Sequence, residues 1–192
     1  MHIAQLKKTT AFRLRNNKKM FCTILVTIVL LLGFHYGAIA QENTKYGTDA
    51  LGNITTGYAN SAFGYKALTA NKSGYGNTAS GFRALFSNIE GFNNTANGSG
   101  ALYSNTSGSF NTANGLQALY SNTTGSLNTA SGFQALYFNT TGSYNTASGQ
   151  QALYSNTTGI DNTANGLNAL RFNNTGSNNT ANGGHTLFNN TT

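Results

Sequence analysis

Six asparagines spaced seventeen residues apart carry the acceptor pattern for N-linked sugar. Asn105, Asn122, Asn139, Asn156 and Asn190 each precede Thr and then Thr or Ser, and Asn173 opens Asn-Asn-Thr. Their chemistry would be display, one glycan from the same corner of every repeat, although composition alone also produces such matches in a chain this rich in Asn and Thr. Other chemistry is sparse. Catalysis needs a positioned acid, base or nucleophile pair. After residue 41 the chain offers one histidine, His185, and four scattered carboxylates, Glu42, Asp49, Glu90 and Asp161. Its many Ser and Thr have no base beside them, and Asp161 alone does not make the column of Asp that a calcium-binding solenoid requires. No enzyme, no metal site and no cofactor is expected. A second candidate site is a ligand face of aromatic and basic residues, Tyr65, Lys66, Phe82, Arg83 and Phe133, at positions that vary between repeats. Variation of this kind is also what drift on a solvent-facing surface produces.

These residues are placed by a seventeen-residue unit that begins at Asn43, Asn60, Asn77, Asn94, Asn111, Asn128, Asn145, Asn162 and Asn179. With Asn as position one, the units from Asn60 onward all carry Ala at position three, Gly at five, Leu at nine and Asn at twelve. Gly also occupies position fifteen from Gly74 to Gly176. The unit at Asn43 departs, with Lys45 for Ala and Ile54 for Asn, as capping repeats do. A repeat this short buries its apolar side only by stacking on its neighbours, so residues 41–192 are expected to form one array. Low-complexity disorder is the competing reading; 10 Tyr and 12 Phe with only 8% charged residues weigh against it.

Residues 1–40 read as a signal peptide. Lys7, Lys8, Arg13, Arg15, Lys18 and Lys19 form a basic region, residues 20–34 an apolar run, and Ala38-Ile39-Ala40 a cleavage site before Gln41. The run is short for a membrane anchor, which needs about 20 residues. The formal net charge of +7 belongs mainly to this segment, since five cations face four carboxylates after it. No clustered basic face for nucleic acid remains, and no membrane contact is expected after cleavage. Cys22, the single cysteine, lies in the apolar run, so disulfides do not hold the exported array together.

The expected fold is all-β, a β-solenoid of about nine coils. Two Gly per unit imply two corners where positive φ or close backbone approach is needed. Between them lie two strand-like segments, Asn-Thr-Ala-x-Gly and Ala-Leu-Tyr-x-Asn, too short and too rich in Gly, Asn and Thr for helices; an αα-repeat is the lesser alternative. Coils stacked at about 4.8 Å would give a rod of roughly 40 Å. The Leu column (Leu68, Leu85, Leu102, Leu119, Leu136, Leu153, Leu170, Leu187) is the expected core, and the Asn columns at positions one and twelve are expected to form amide ladders. One Leu and one or two Ala per coil bury little apolar surface. The aromatic column at position ten (Phe86, Tyr103, Tyr120, Tyr137, Tyr154, Phe188) is therefore expected to close against copies of itself, in a trimer around the rod axis.

The run Asn-Thr-Ala-Ser-Gly-Phe-Gln-Ala-Leu (residues 128–136) resembles the head repeats of YadA-like trimeric autotransporter adhesins and related bacterial and phage fibre proteins. The resemblance covers residues 43–192 and implies a left-handed parallel β-roll, trimeric, exposed outside the cell and adhesive. Those heads commonly repeat at a shorter period, so the extra residues here imply a longer corner at Asn-Thr-Thr-Gly. No heptad stalk, barrel strands or processing domain follows within this sequence, so the rods are expected either to associate end to end or to belong to a longer gene product.

The functional expectation is a secreted or surface-exposed structural rod or fibre, adhesive and glycan-coated, whose partners are copies of itself and glycans or a host or environmental surface. The alternatives are an ice-binding solenoid, since Asn-Thr-Ala-Ser-Gly resembles repeats of grass ice-binding proteins, with the Thr column from Thr78 to Thr180 as its face although no strand offers a Thr-x-Thr pair, and a carbohydrate-binding, phage-tail-like fibre.

Overall fold

In a computed structural model, which describes residues 42–192, the chain is a stack of parallel coils with one three-residue strand in each. The strands are β1 (Thr44–Tyr46), β2 (Ser61–Phe63), β3 (Thr78–Ser80), β4 (Thr95–Asn97), β5 (Thr112–Asn114), β6 (Thr129–Ser131), β7 (Thr146–Ser148), β8 (Thr163–Asn165) and β9 (Thr180–Asn182). They form a single nine-stranded parallel sheet in sequence order. Register follows the repeat, with Ala79 opposite Ala96 and Ala96 opposite Ala113, so a slip of one residue would turn every buried Ala outward. The β-solenoid expectation holds. The signal peptide read at residues 1–40 lies outside the described residues, and among the described ones no helix is long and apolar enough to cross a membrane.

Only one of the two strand-like segments is a strand. Ala-Leu-Tyr-x-Asn is instead a chain of turns that alternates hand: the non-glycine residues at position seven have φ between 54° and 60°, and Leu at position nine between 50° and 53°. Alternation coils the backbone tightly within one plane while its N–H and C=O groups still point along the rod. Leu68 N donates to Ala84 O in the next coil at 3.0 Å, and Lys66 N donates to Thr48 O in the previous one at 2.9 Å. Inter-coil bonding thus continues beyond the strand and satisfies backbone groups that a turn would otherwise leave to water.

The interior consists of three apolar columns, Ala at positions three and eight and Leu at nine, with 0% exposure through the central coils. Leu51 of the divergent first unit, 2% exposed, extends the Leu column by one coil. Leu187 corrects the expected core list: it lies in the last described coil and is 46% exposed. In the first unit Lys45 is exposed and Ile54 is half-buried against the core.

Candidate functional site

The Asn columns close the ends of the apolar interior. Asn128 at position one uses its whole side chain: Nδ2 donates to Asn111 Oδ1 at 3.1 Å and to Gly142 O at 2.9 Å, while Oδ1 accepts from Asn145 N at 3.0 Å and Asn145 Nδ2 at 3.2 Å. Asn139 at position twelve donates through Nδ2 to Asn122 Oδ1 at 2.8 Å and to the same Gly142 O at 2.9 Å. The carbonyl of the position-fifteen Gly is therefore the shared acceptor of both ladders. That Gly needs no positive φ; it is required because a Cβ on Gly142 would stand 2.5 Å from Gly159 O and against Asn139 Oδ1. The position-five Gly is the other kind of corner, with φ from 114° to 144°.

This geometry corrects the glycan reading. Asn105, Asn122, Asn139, Asn156 and Asn173 are 0% exposed, and each spends both Nδ2 hydrogens, one on the preceding ladder oxygen and one on the Gly carbonyl three residues on. A glycosidic bond would replace one of those hydrogens and would need open space beside it. Asn190, half-buried, belongs to the same ladder through Asn173 Oδ1 at 2.9 Å. In the folded rod these sequons are structural, and the period that suggested a display site is the period of the ladder.

Of the ligand-face candidates, four lie together. Tyr65 and Phe82 stack at 5.5 Å and 16°, Lys66 Nζ lies 5.2 Å from the Tyr65 ring, and the Arg83 guanidinium sits between Phe82 at 5.1 Å and Phe86 at 5.6 Å. Arg83 Nε is buried without a partner. Beside it the repeat breaks: Ser99 and Gly100 replace the bulky pair and leave a notch of about 130 Å³ bordered by Tyr103, Gln117 and Tyr120. Phe133, 40% exposed, is on the same column three coils away and does not join this group. At position seven Gln134 Nε2 donates to Gln117 Oε1 at 2.9 Å and Gln151 Nε2 to Gln134 Oε1 at 3.0 Å.

The position-ten column is a stack within one chain: Phe86 on Tyr103, Tyr103 on Tyr120 at 4.9 Å, Tyr120 on Tyr137, and Tyr137 on Tyr154. Burial, then the neighbouring phenols of Tyr120 and Tyr154, push the Tyr137 pKa up. His185 lies on an exposed edge near Asn168 at 3.2 Å. Among the described residues no three of His, Cys, Asp or Glu converge. A groove between positions eleven and thirteen, lined by Phe138, Phe172 and several Thr and Asn, had no distinct signal in the repeat beyond two aromatics in a Ser column.

Compared with known proteins, the chain matches no family model, no curated protein and no solved structure.

Proposed function

We propose that the array is a displayed structural rod, exported and exposed at the cell surface or beyond it, whose outer columns make adhesive contacts with copies of itself and with environmental surfaces. One observation carries this reading: among the described residues fourteen large apolar side chains besides Leu187, among them Tyr65, Phe82, Phe133, Phe138 and Phe172, are exposed on a scaffold whose apolar columns are buried within it. Apolar side chains gathered into patches on such a surface serve contact. Trimeric association along the position-ten and position-sixteen aromatics, Tyr58, Tyr75 and Phe92 in the latter, would cover part of this surface. Export rests on the sequence of residues 1–40. Negative-stain microscopy with light scattering on the secreted protein tests the proposal. Elongated particles of multiple chains are expected; compact, monodisperse monomers would sink it.

A second reading draws on the strand face. Positions two and four both point outward across one regular sheet, so Thr112, Thr129 and Thr146 run beside Asn114, Ser131 and Ser148. Such a polar lattice supports ice binding, although its second column is Ser and Asn rather than Thr. Absence of thermal hysteresis at high concentration of folded protein removes this reading.

A further inference from the structure

Phe138 and Phe172 interrupt the small polar column at position eleven, one on each side of Ser155. Exposed by 44% and 40%, they border a groove of about 740 Å³ whose other wall is the position-thirteen column, including Thr140, Thr157 and Asn174. Their orientation is set by the neighbouring stack. Tyr137 and Tyr154 lie face to face along the rod, 5.4 Å apart at 18°, and Phe138 meets them at 85° and 80°. Phe172 meets Phe188, the next ring of that column, at 84°. Both phenylalanine planes thus stand roughly perpendicular to the rings beside them, as two platforms that run along the rod axis. They are two coils apart, about 9.6 Å at the strand spacing of a parallel sheet.

The geometry points to one occupant: a neutral β-1,4-linked glucan chain lying parallel to the rod, with alternate sugars stacked on Phe138 and Phe172. The platform spacing is close to the distance at which an extended β-1,4-linked hexose chain returns to the same ring orientation. The groove lining contains only Ser, Thr, Asn and Phe, and the Arg171 guanidinium lies against the Phe172 ring at 5.3 Å rather than in the lining, so the lining itself presents no charge to an acidic or a basic polymer. Two of its hydroxyls, on Thr140 and Thr157, present lone pairs to the groove. Thr140 Oγ1 donates to Thr157 O at 3.0 Å and Thr157 Oγ1 to Asn174 Oδ1 at 2.7 Å, which leaves lone pairs for a ligand rich in O–H donors. A polyproline segment has a turn of similar length, about 9.3 Å, but offers no donor to the Thr140 and Thr157 lone pairs. This binding mode deepens the adhesive reading by naming what one face adheres to.

Calorimetry of the full chain with cellohexaose tests it, with cellobiose, chitohexaose and a proline-rich peptide as comparison probes. Cellohexaose is expected to bind, and cellobiose, too short to cover both rings, to bind far more weakly. Phe138→Ala and Phe172→Ala should each weaken binding by about tenfold, and the double variant should abolish it. Ser155→Lys, which fills the gap between the platforms without touching the core, should also block binding, whereas Glu90→Gln, on an exposed corner away from the groove, should leave it unchanged. No binding of cellohexaose by protein with the wild-type circular dichroism spectrum overturns the proposal. So does full binding by the double variant, or tighter binding of chitohexaose or the peptide. Rods in the microscope that ignore glucan would sink the groove alone; glucan binding by a compact monomer would sink the rod and spare the groove.

Discussion

Asn122 shows how much of this molecule rests on single amides. Its Nδ2 satisfies Asn105 Oδ1 at 2.8 Å and Gly125 O at 2.9 Å, and its Oδ1 receives Asn139 Nδ2 at 2.8 Å, all at 0% exposure. Asn122→Ala would orphan the Asn105 oxygen and one Asn139 hydrogen, each at about 1–3 kcal/mol. A loss of roughly 2–5 kcal/mol is expected in urea denaturation, against less than about 0.5 kcal/mol for Ser121→Ala on the outer surface. The raised Tyr137 pKa gives a pH signature. The folded state keeps the phenolic proton that the unfolded chain releases near pH 10, so this contribution is complete below pH 10 and is lost as pH rises through the higher folded value. Thermal midpoints should fall more steeply above pH 10 in the native protein than in Tyr137→Phe.

Within the coil, the position-nine leucines carry a constraint that hydrophobicity alone does not express. Leu136 is fully buried at φ 53°, a left-handed conformation that β-branched residues resist. Leu136→Ile, though equal in volume, should therefore cost about 1–3 kcal/mol more than Leu136→Met, measured by denaturant midpoints. Leu119→Asp with Leu136→Asp should abolish the fold altogether, since two unpaired carboxylates would enter a core with no partner for them. Gly132→Val should be comparably disruptive: φ there is 135°, and a Cβ would lie 2.6 Å from Gly149 O. Much of this was legible in the sequence. The period gave the register, invariant Leu and Ala gave the interior, and Gly at positions five and fifteen marked the two corners. What remained hidden was the alternating left-handed path through Ala-Leu-Tyr, because Lys66, Gln117 and Leu119 adopt positive φ with no glycine to announce it. The sequons misled for a related reason, since a column of Asn-Thr-Thr looks the same whether its amide faces water or the ladder. The Phe138 and Phe172 groove became visible only once both rings had been placed against the position-ten stack.

Across the whole molecule every interface between coils is nearly the same interface. Removal of one complete unit, residues 111–127, should leave Ala96 facing Ala130 and preserve the circular dichroism spectrum, whereas removal of eight residues should destroy it. The repeated amide ladders have a mechanical consequence. Load applied along the rod pulls on inter-coil hydrogen bonds at the last coil first, and a coil that yields releases seventeen residues, about 60 Å of extended chain, before the next identical ladder bears the force. Under tension such a rod would lengthen in equal steps at nearly equal force, spooling out slack one coil at a time.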